Sequence, residues 1–103
     1  MATFVMFGRY TPEALKGASA ARTKKALATI KRFKGKVVSM YATLGKIDLV
    51  VVTEFPGDTE AMQASMALTK LTGIGFMTAP AIPVDEFDKL MSETWLSLRK
   101  VMS

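Results

Sequence analysis

The chain of 103 residues contains no cysteine and no histidine. Without cysteine it cannot form disulfides, thiolate nucleophiles or zinc–thiolate sites, a composition typical of the reducing cytoplasm. Without histidine it lacks Ser-His-Asp chemistry, histidine-ligated haem and the commonest metal ligand and general base. No run of about 18 apolar residues occurs, so the sequence predicts no membrane-spanning helix. We expect a cytoplasmic chain that uses no cofactor and no metal.

What the chain has in excess is hydrophobic residues, which make up 50% of it. The length predicts one domain over residues 1–103. Such a domain has a small interior, so part of its apolar surface is expected to meet another chain. Charge is also uneven, because residues 1–50 carry a net +8 and residues 51–103 a net −3. This asymmetry is compatible with nucleic-acid binding or with a basic helix face, and no aromatic platform accompanies the basic residues.

Alternating and helical hydrophobic patterns divide the chain into strands and helices. Thr11 and Asp58 are predicted N-caps, as is Asp85 for a last helix, and Gly35 is predicted to end the second helix. Pro80 and Pro83 favour an edge position for the last strand. The predicted strands are 2–10, 36–44, 47–55 and 76–84. The predicted helices are a short piece from Pro12 to Gly17, then 19–34, 59–71 and 86–101.

This order, βαββαβ followed by a helix, predicts an α+β domain with the ferredoxin-like fold. The expected antiparallel sheet has the strand order 4-1-3-2, with two helices on one face. The last helix has an apolar side that includes Trp95, and we expect it to pack on its own or a neighbouring subunit.

Gly45 and Lys46 are suited to the centre of a two-residue hairpin turn, since glycine favours the first position of a type II′ turn. That turn would set the parity of both strands. Four pairs are predicted to face the helices: Leu44–Ile47, Ala42–Leu49, Met40–Val51 and Val38–Thr53. Four pairs are predicted on the other face: Thr43–Asp48, Tyr41–Val50, Ser39–Val52 and Val37–Glu54.

The second face is too apolar to be simply solvated. We expect a second copy to cover it, which would form a dimeric α+β barrel with a small-ligand pocket between the sheets. Asp48 is the acid at the turn end of this face, and the end of the first strand offers Arg9 or Tyr10 as its partner. The candidate ligand-binding residues are Asp48, Tyr41, Thr43 and Arg9.

Several segments together resemble the GYD domain family of small, mainly bacterial proteins. They are the start "MATFVMFGRYTPEALKG", "KGKV" at 34–37, "TLGKID" before an apolar strand, and "TAPAIP" in the last strand. The motif that gives the family its name reads Gly45-Lys46-Ile47-Asp48 here, with Ile47 in place of the tyrosine. The resemblance covers about residues 2 to 84 and implies a ferredoxin-like, dimeric α+β barrel.

Three functions follow as hypotheses. The first is a homo-oligomeric module that assembles through the sheet face and binds a small hydrophobic ligand. The second is a cofactor-independent enzyme, similar to a monooxygenase or isomerase, with Asp48 as acid or base and Tyr41 or Arg9 stabilising charge. Nucleic-acid binding is the least favoured. No residue is assigned as catalytic.

Overall fold

A computed structural model describes residues 1–103 and contains four strands and four helices. Their order in the chain matches the predicted one. The strands are β1 (Ala2–Arg9), β2 (Lys36–Ala42), β3 (Leu49–Phe55) and β4 (Gly75–Ala81). The helices are α1 (Pro12–Lys16), α2 (Ala20–Arg32), α3 (Asp58–Thr72) and α4 (Val84–Met102).

The four strands form one antiparallel sheet in the order β2-β3-β1-β4. This is the predicted order 4-1-3-2 of a ferredoxin-like fold, and it leaves the proline-containing β4 at an edge. Helices α2 and α3 pack on one face of the sheet. The opposite face is covered by no element of the chain.

The core lies between that one face and the two helices. Every second residue of the two central strands points into it, as strand geometry requires. A single buried polar side chain, Thr53, donates its hydroxyl to the carbonyl of Phe4 at 3.0 Å. The core cluster comprises Phe4, Met6, Ile30, Val51, Phe55, Ala61, Ala64 and Leu68.

Of the three predicted N-caps, Thr11 is confirmed, whereas Asp58 and Asp85 are wrong. The Thr11 hydroxyl accepts from the backbone N–H of Ala14 at 3.0 Å, and Ser19 caps α2 in the same way. Asp58 and Asp85 are not caps, because Gly57 and Pro83 occupy those positions without a side-chain bond. Both acids lie in the first turn instead, where the helix dipole favours negative charge.

The predicted end of α2 at Gly35 is also wrong. The helix ends at Arg32, and Lys34 takes the left-handed conformation with φ 65°. Gly35 is needed for a different reason, since a Cβ there would lie 2.3 Å from Cε1 of Phe55. The absence of a side chain allows the chain after α2 to pass directly over that ring.

Because β2 contains a bulge, the pairing predicted for the first residues of β2 is wrong. The register shifts between Val37 and Ser39, so that Val37 rather than Val38 lies opposite Thr53. Val38 is left outside the ladder and is 56% exposed instead of lying under the helices. From Ser39 to Ala42 the predicted partners in β3 are confirmed.

The β2–β3 connection is longer than the predicted two-residue turn. The backbone N–H of Thr43 donates to the Asp48 carbonyl at 2.8 Å, which leaves a loop from Leu44 to Ile47. The Thr43 hydroxyl donates to the Ile47 carbonyl at 2.6 Å, so a side chain replaces the backbone bond expected there. Leu44 is 99% exposed, and the prediction that it faces the helices is therefore wrong. Gly45 has a φ of 120°, which other residues rarely adopt.

Helix α4 extends from the body of the domain. It has 19 residues, all exposed, so it is about 28 Å long at 1.5 Å per residue. The radius of gyration is 16.7 Å and the longest dimension 57 Å, whereas a compact chain of this length would have a radius near 13 Å. No helix combines the length and the apolar character needed to span a membrane.

We predict that Gly35→Ala destabilises the domain by about 1–3 kcal/mol, because the new methyl group must displace the Phe55 ring in a close-packed core. Gly75→Ala is the matched control, since a Cβ at Gly75 meets nothing within 4 Å. Urea unfolding followed by circular dichroism measures both. Equal midpoints for the two variants would show that the contact with Phe55 does not restrict position 35.

Candidate functional site

The four candidate residues lie at one corner of the uncovered sheet face. Tyr41 is paired with Val50, and Val50 with Phe7 of the central strand β1. Two residues further along, the Thr43 backbone is bonded to Asp48, and the Asp48 N–H donates to Gly8, the residue before Arg9. The hairpin parity predicted from Gly45 therefore holds at this corner.

Asp48 joins three segments of the chain through separate hydrogen bonds. Its Oδ2 accepts from the backbone N–H of Tyr10 at 2.8 Å, just after β1 ends. Its own backbone N–H donates to Gly8 at 2.9 Å, and its carbonyl accepts from Thr43. Of the two partners expected for this carboxylate, the structure shows the backbone of Tyr10, while Arg9 is exposed. The carboxylate thus holds the end of β1 against the hairpin.

A groove open to solvent lies beside this carboxylate. It has a volume of about 470 Å³, which is within the range of small-molecule sites. Asp48 is the one charged residue that lines it, and Thr43 lies next to that carboxylate; Tyr41 and Arg9 do not line the groove. The remaining lining residues come from the β1–α1 connection, α1 and the hairpin: Tyr10, Thr11, Pro12, Leu15, Ala42 and Leu44.

At the Asp48 end of the groove, the two polar side chains, Thr43 and Asp48, can both accept a hydrogen bond from a ligand. The Thr43 hydroxyl already donates its proton to Ile47, so only its lone pairs remain for a ligand. Asp48 uses Oδ2 for Tyr10, so Oδ1 can accept a further bond. The chain has no cluster of three or more acidic side chains that could hold a metal ion. This arrangement can recognise an N–H or O–H donor beside an apolar group.

Arg22 also lies near the groove, and no sequence pattern predicted a role for it. Its guanidinium lies 5.8 Å from the centre of the Tyr10 ring and donates to the Ala14 carbonyl, which ties α2 to α1. A small apolar cavity of about 50 Å³ lies behind this pair, between α2, α3 and the sheet. The sequence did contain one indication of this role. A cation in the first turn of a helix is unfavourable with respect to the helix dipole, so an arginine at that position suggests a compensating contact.

We predict that Asp48→Ala lowers stability by about 1–3 kcal/mol, because the N–H of Tyr10 loses a charged acceptor. Asp48→Asn keeps an oxygen in place and should cost less than half as much. Asp58→Ala is the control, since Asp58 is exposed and makes no capping bond. Urea unfolding of the three variants measures this. If Asn and Ala cost the same, the bond to Tyr10 does not stabilise the hairpin.

Comparison with known proteins bears on most of the chain, up to the middle of α4. Curated proteins give no significant match. Residues 4–91 match the model of the GYD domain, and this span includes the groove, the hairpin and all four strands apart from the first two residues of β1. The Gly45–Asp48 segment that carries the resemblance lies at the groove, with Ile47 half-buried. This chain belongs to the GYD domain family.

Proposed function

We propose that this protein is a cytoplasmic, homo-oligomeric module that binds a small ligand. In this proposal two copies pack through the uncovered sheet face, and the ligand lies in the groove at Asp48. The observation that carries it is the composition of that face, which is apolar although the chain leaves it uncovered.

The uncovered face consists mostly of aliphatic and aromatic side chains. An antiparallel sheet with one solvated face normally shows polar residues there. Here Tyr41 is 60% exposed, and Met77 is equally exposed on the other edge. The apolar side chains of this face are Val5, Phe7, Tyr41, Val50, Val52, Met77 and Ala79.

A second copy of the same sheet is the partner that best fits this surface. A two-fold interface places the same patch on both copies, so an apolar face can cover itself. Two sheets packed face to face lie about 10 Å apart, and their side chains fill the space between them. This would produce the dimeric α+β barrel. The partner sheet would also cover Tyr41 and Arg9, next to the corner that holds Asp48 and Thr43.

The ligand inferred from the groove has a hydrogen-bond donor, such as an ammonium group, and a short apolar portion. The donor would contact Asp48 Oδ1 and Thr43, and the apolar portion would contact Leu15 and Leu44, both of which are exposed in the free chain. A ligand that covered these two leucines would remove them from water, which is favourable at about 25 cal/mol per Å². The lack of a second charged group in the groove supports binding rather than acid–base catalysis.

We predict that Val52→Glu halves the mass of the assembly, since it places a charge at the centre of the sheet interface. Met66→Glu on the exposed side of α3 is the matched control and should leave the mass unchanged. Size-exclusion chromatography with light scattering measures the mass, and circular dichroism verifies folding. A folded Val52→Glu variant of unchanged mass would exclude this interface.

We predict that butylammonium shifts the NMR resonances of Thr43, Leu44 and Asp48, whereas butyrate does not. Asp48→Asn should weaken this binding roughly tenfold, because it removes the charge from the acceptor. Asp58→Asn serves as the control at an exposed site of the same charge. Preferential binding of butyrate at these residues, or binding of neither compound, would contradict the proposed ligand chemistry.

A further inference from the structure

Helix α4 carries a second apolar surface, separate from the sheet face. Its apolar side chains recur every three or four residues and form one continuous stripe along the helix. None is buried, and Trp95, the one tryptophan of the chain, is 57% exposed. The stripe consists of Phe87, Leu90, Met91, Trp95, Leu98 and Val101.

Such a helix needs a partner to be stable. Helices in proteins are stabilised mainly by packing of their apolar face rather than by intrinsic propensity, and the apolar face of α4 packs on nothing in this chain. The match to the GYD domain ends at Met91, whereas the stripe continues for ten more residues to Val101. The second half of this surface is therefore a feature of this chain that the family model does not include.

The charges beside the stripe indicate what covers it. Asp88 and Arg99 are eleven residues apart, which at 100° per residue places them within about 20° of each other on one edge of the stripe. The first half of α4, up to Glu93, carries four acids and one base, Lys89, which lies on the side away from the stripe, and the last charged residues, Arg99 and Lys100, are basic. The helix thus has an acidic and a basic end.

We propose that α4 pairs antiparallel with the α4 of a second copy of this chain. In an antiparallel pair the same edge of each helix meets, so Asp88 of one copy lies beside Arg99 of the other, and the reverse. The centre of such a pair falls between residues 93 and 94. Within about one residue, Phe87 then lies level with Val101, Leu90 with Leu98, and Met91 with Trp95, of the second helix.

A parallel pair fits the charges less well. In that arrangement opposite edges meet at the same height, and Asp88 would approach Glu86 and Glu93 of the second helix. Like charges at such positions are destabilising. The antiparallel pair has two symmetric Asp88–Arg99 contacts, which outnumber its one like-charge approach, that of Glu93 to its own copy near the centre. It does not depend on the sheet interface, because α4 follows β4 and lies outside the face-to-face contact proposed above.

Single cysteines test the arrangement directly, since the chain has none of its own. Thr94→Cys lies almost at the centre, so its two copies are within disulfide reach and should form a covalent dimer under mild oxidation. Leu90→Cys is the control in the same stripe. Its two copies are about 10 Å apart along an antiparallel pair but face each other in a parallel one. Cross-linking at position 90, or at neither position, would overturn the proposal.

A charge exchange gives an independent test in solution. Asp88→Arg should weaken self-association roughly threefold to tenfold, and Asp88→Arg combined with Arg99→Asp should restore it. Asp85→Arg, which lies further from the stripe, should have a smaller effect. Sedimentation in the Val52→Glu background isolates the α4 contact from the sheet contact. If the double variant does not recover self-association, α4 does not pair in this way. If the Thr94→Cys protein sediments with anionic phosphatidylglycerol vesicles and does not cross-link, a membrane surface covers α4 instead of a second copy.

Discussion

The hydrogen bonds around Asp48 are the constraint on which the rest of the structure depends. Its backbone fixes β3 against both β1 and the hairpin, and its carboxylate holds the first residue after β1. Because side chains alternate along a strand, this one alignment decides which residues enter the core and which lie on the uncovered face. A shift of β3 by one residue would move Val51 from the core to the uncovered face and Val52 from the uncovered face to the core. The groove and the core therefore depend on the same three bonds.

Much of this could be predicted from the sequence because alternation and turn chemistry are local. The strand order and the pairing from Ser39 onward follow from them, as do Asp48 and Thr43 as neighbours. The bulge at Val38, the close approach of Gly35 to Phe55, and Arg22 above Tyr10 could not be predicted. Each depends on segments that are far apart in the chain, and one sequence does not show which segments meet. The prediction that Asp58 and Asp85 are N-caps was wrong because an acid near the start of a helix is favourable both at the N-cap and in the first turn.

The hydrophobic content of the chain has a structural explanation. Half of the residues are hydrophobic, yet only 12 of 103 residues are buried. The excess is not scattered, since it is concentrated on the uncovered sheet face and along α4. Isolated apolar residues on a surface are ordinary, but two continuous apolar surfaces on one small domain are typical of interfaces. The small core and the extended shape are those expected of one subunit in the proposed assembly.

The two proposed two-fold interfaces would together restrict the assemblies that can form. Repeated use of both gives either a closed tetramer, when the two axes cross at right angles, or an open chain of subunits. In either case the groove stays clear of the α4 contact, because α4 begins at the opposite end of the sheet. Ala81, the last residue of β4, is paired with Thr3, whereas Arg9, next to the groove, is paired with Gly75. About 20 Å of strand separates these ends, so assembly through α4 and ligand binding at Asp48 can occur together without competing for the same surface.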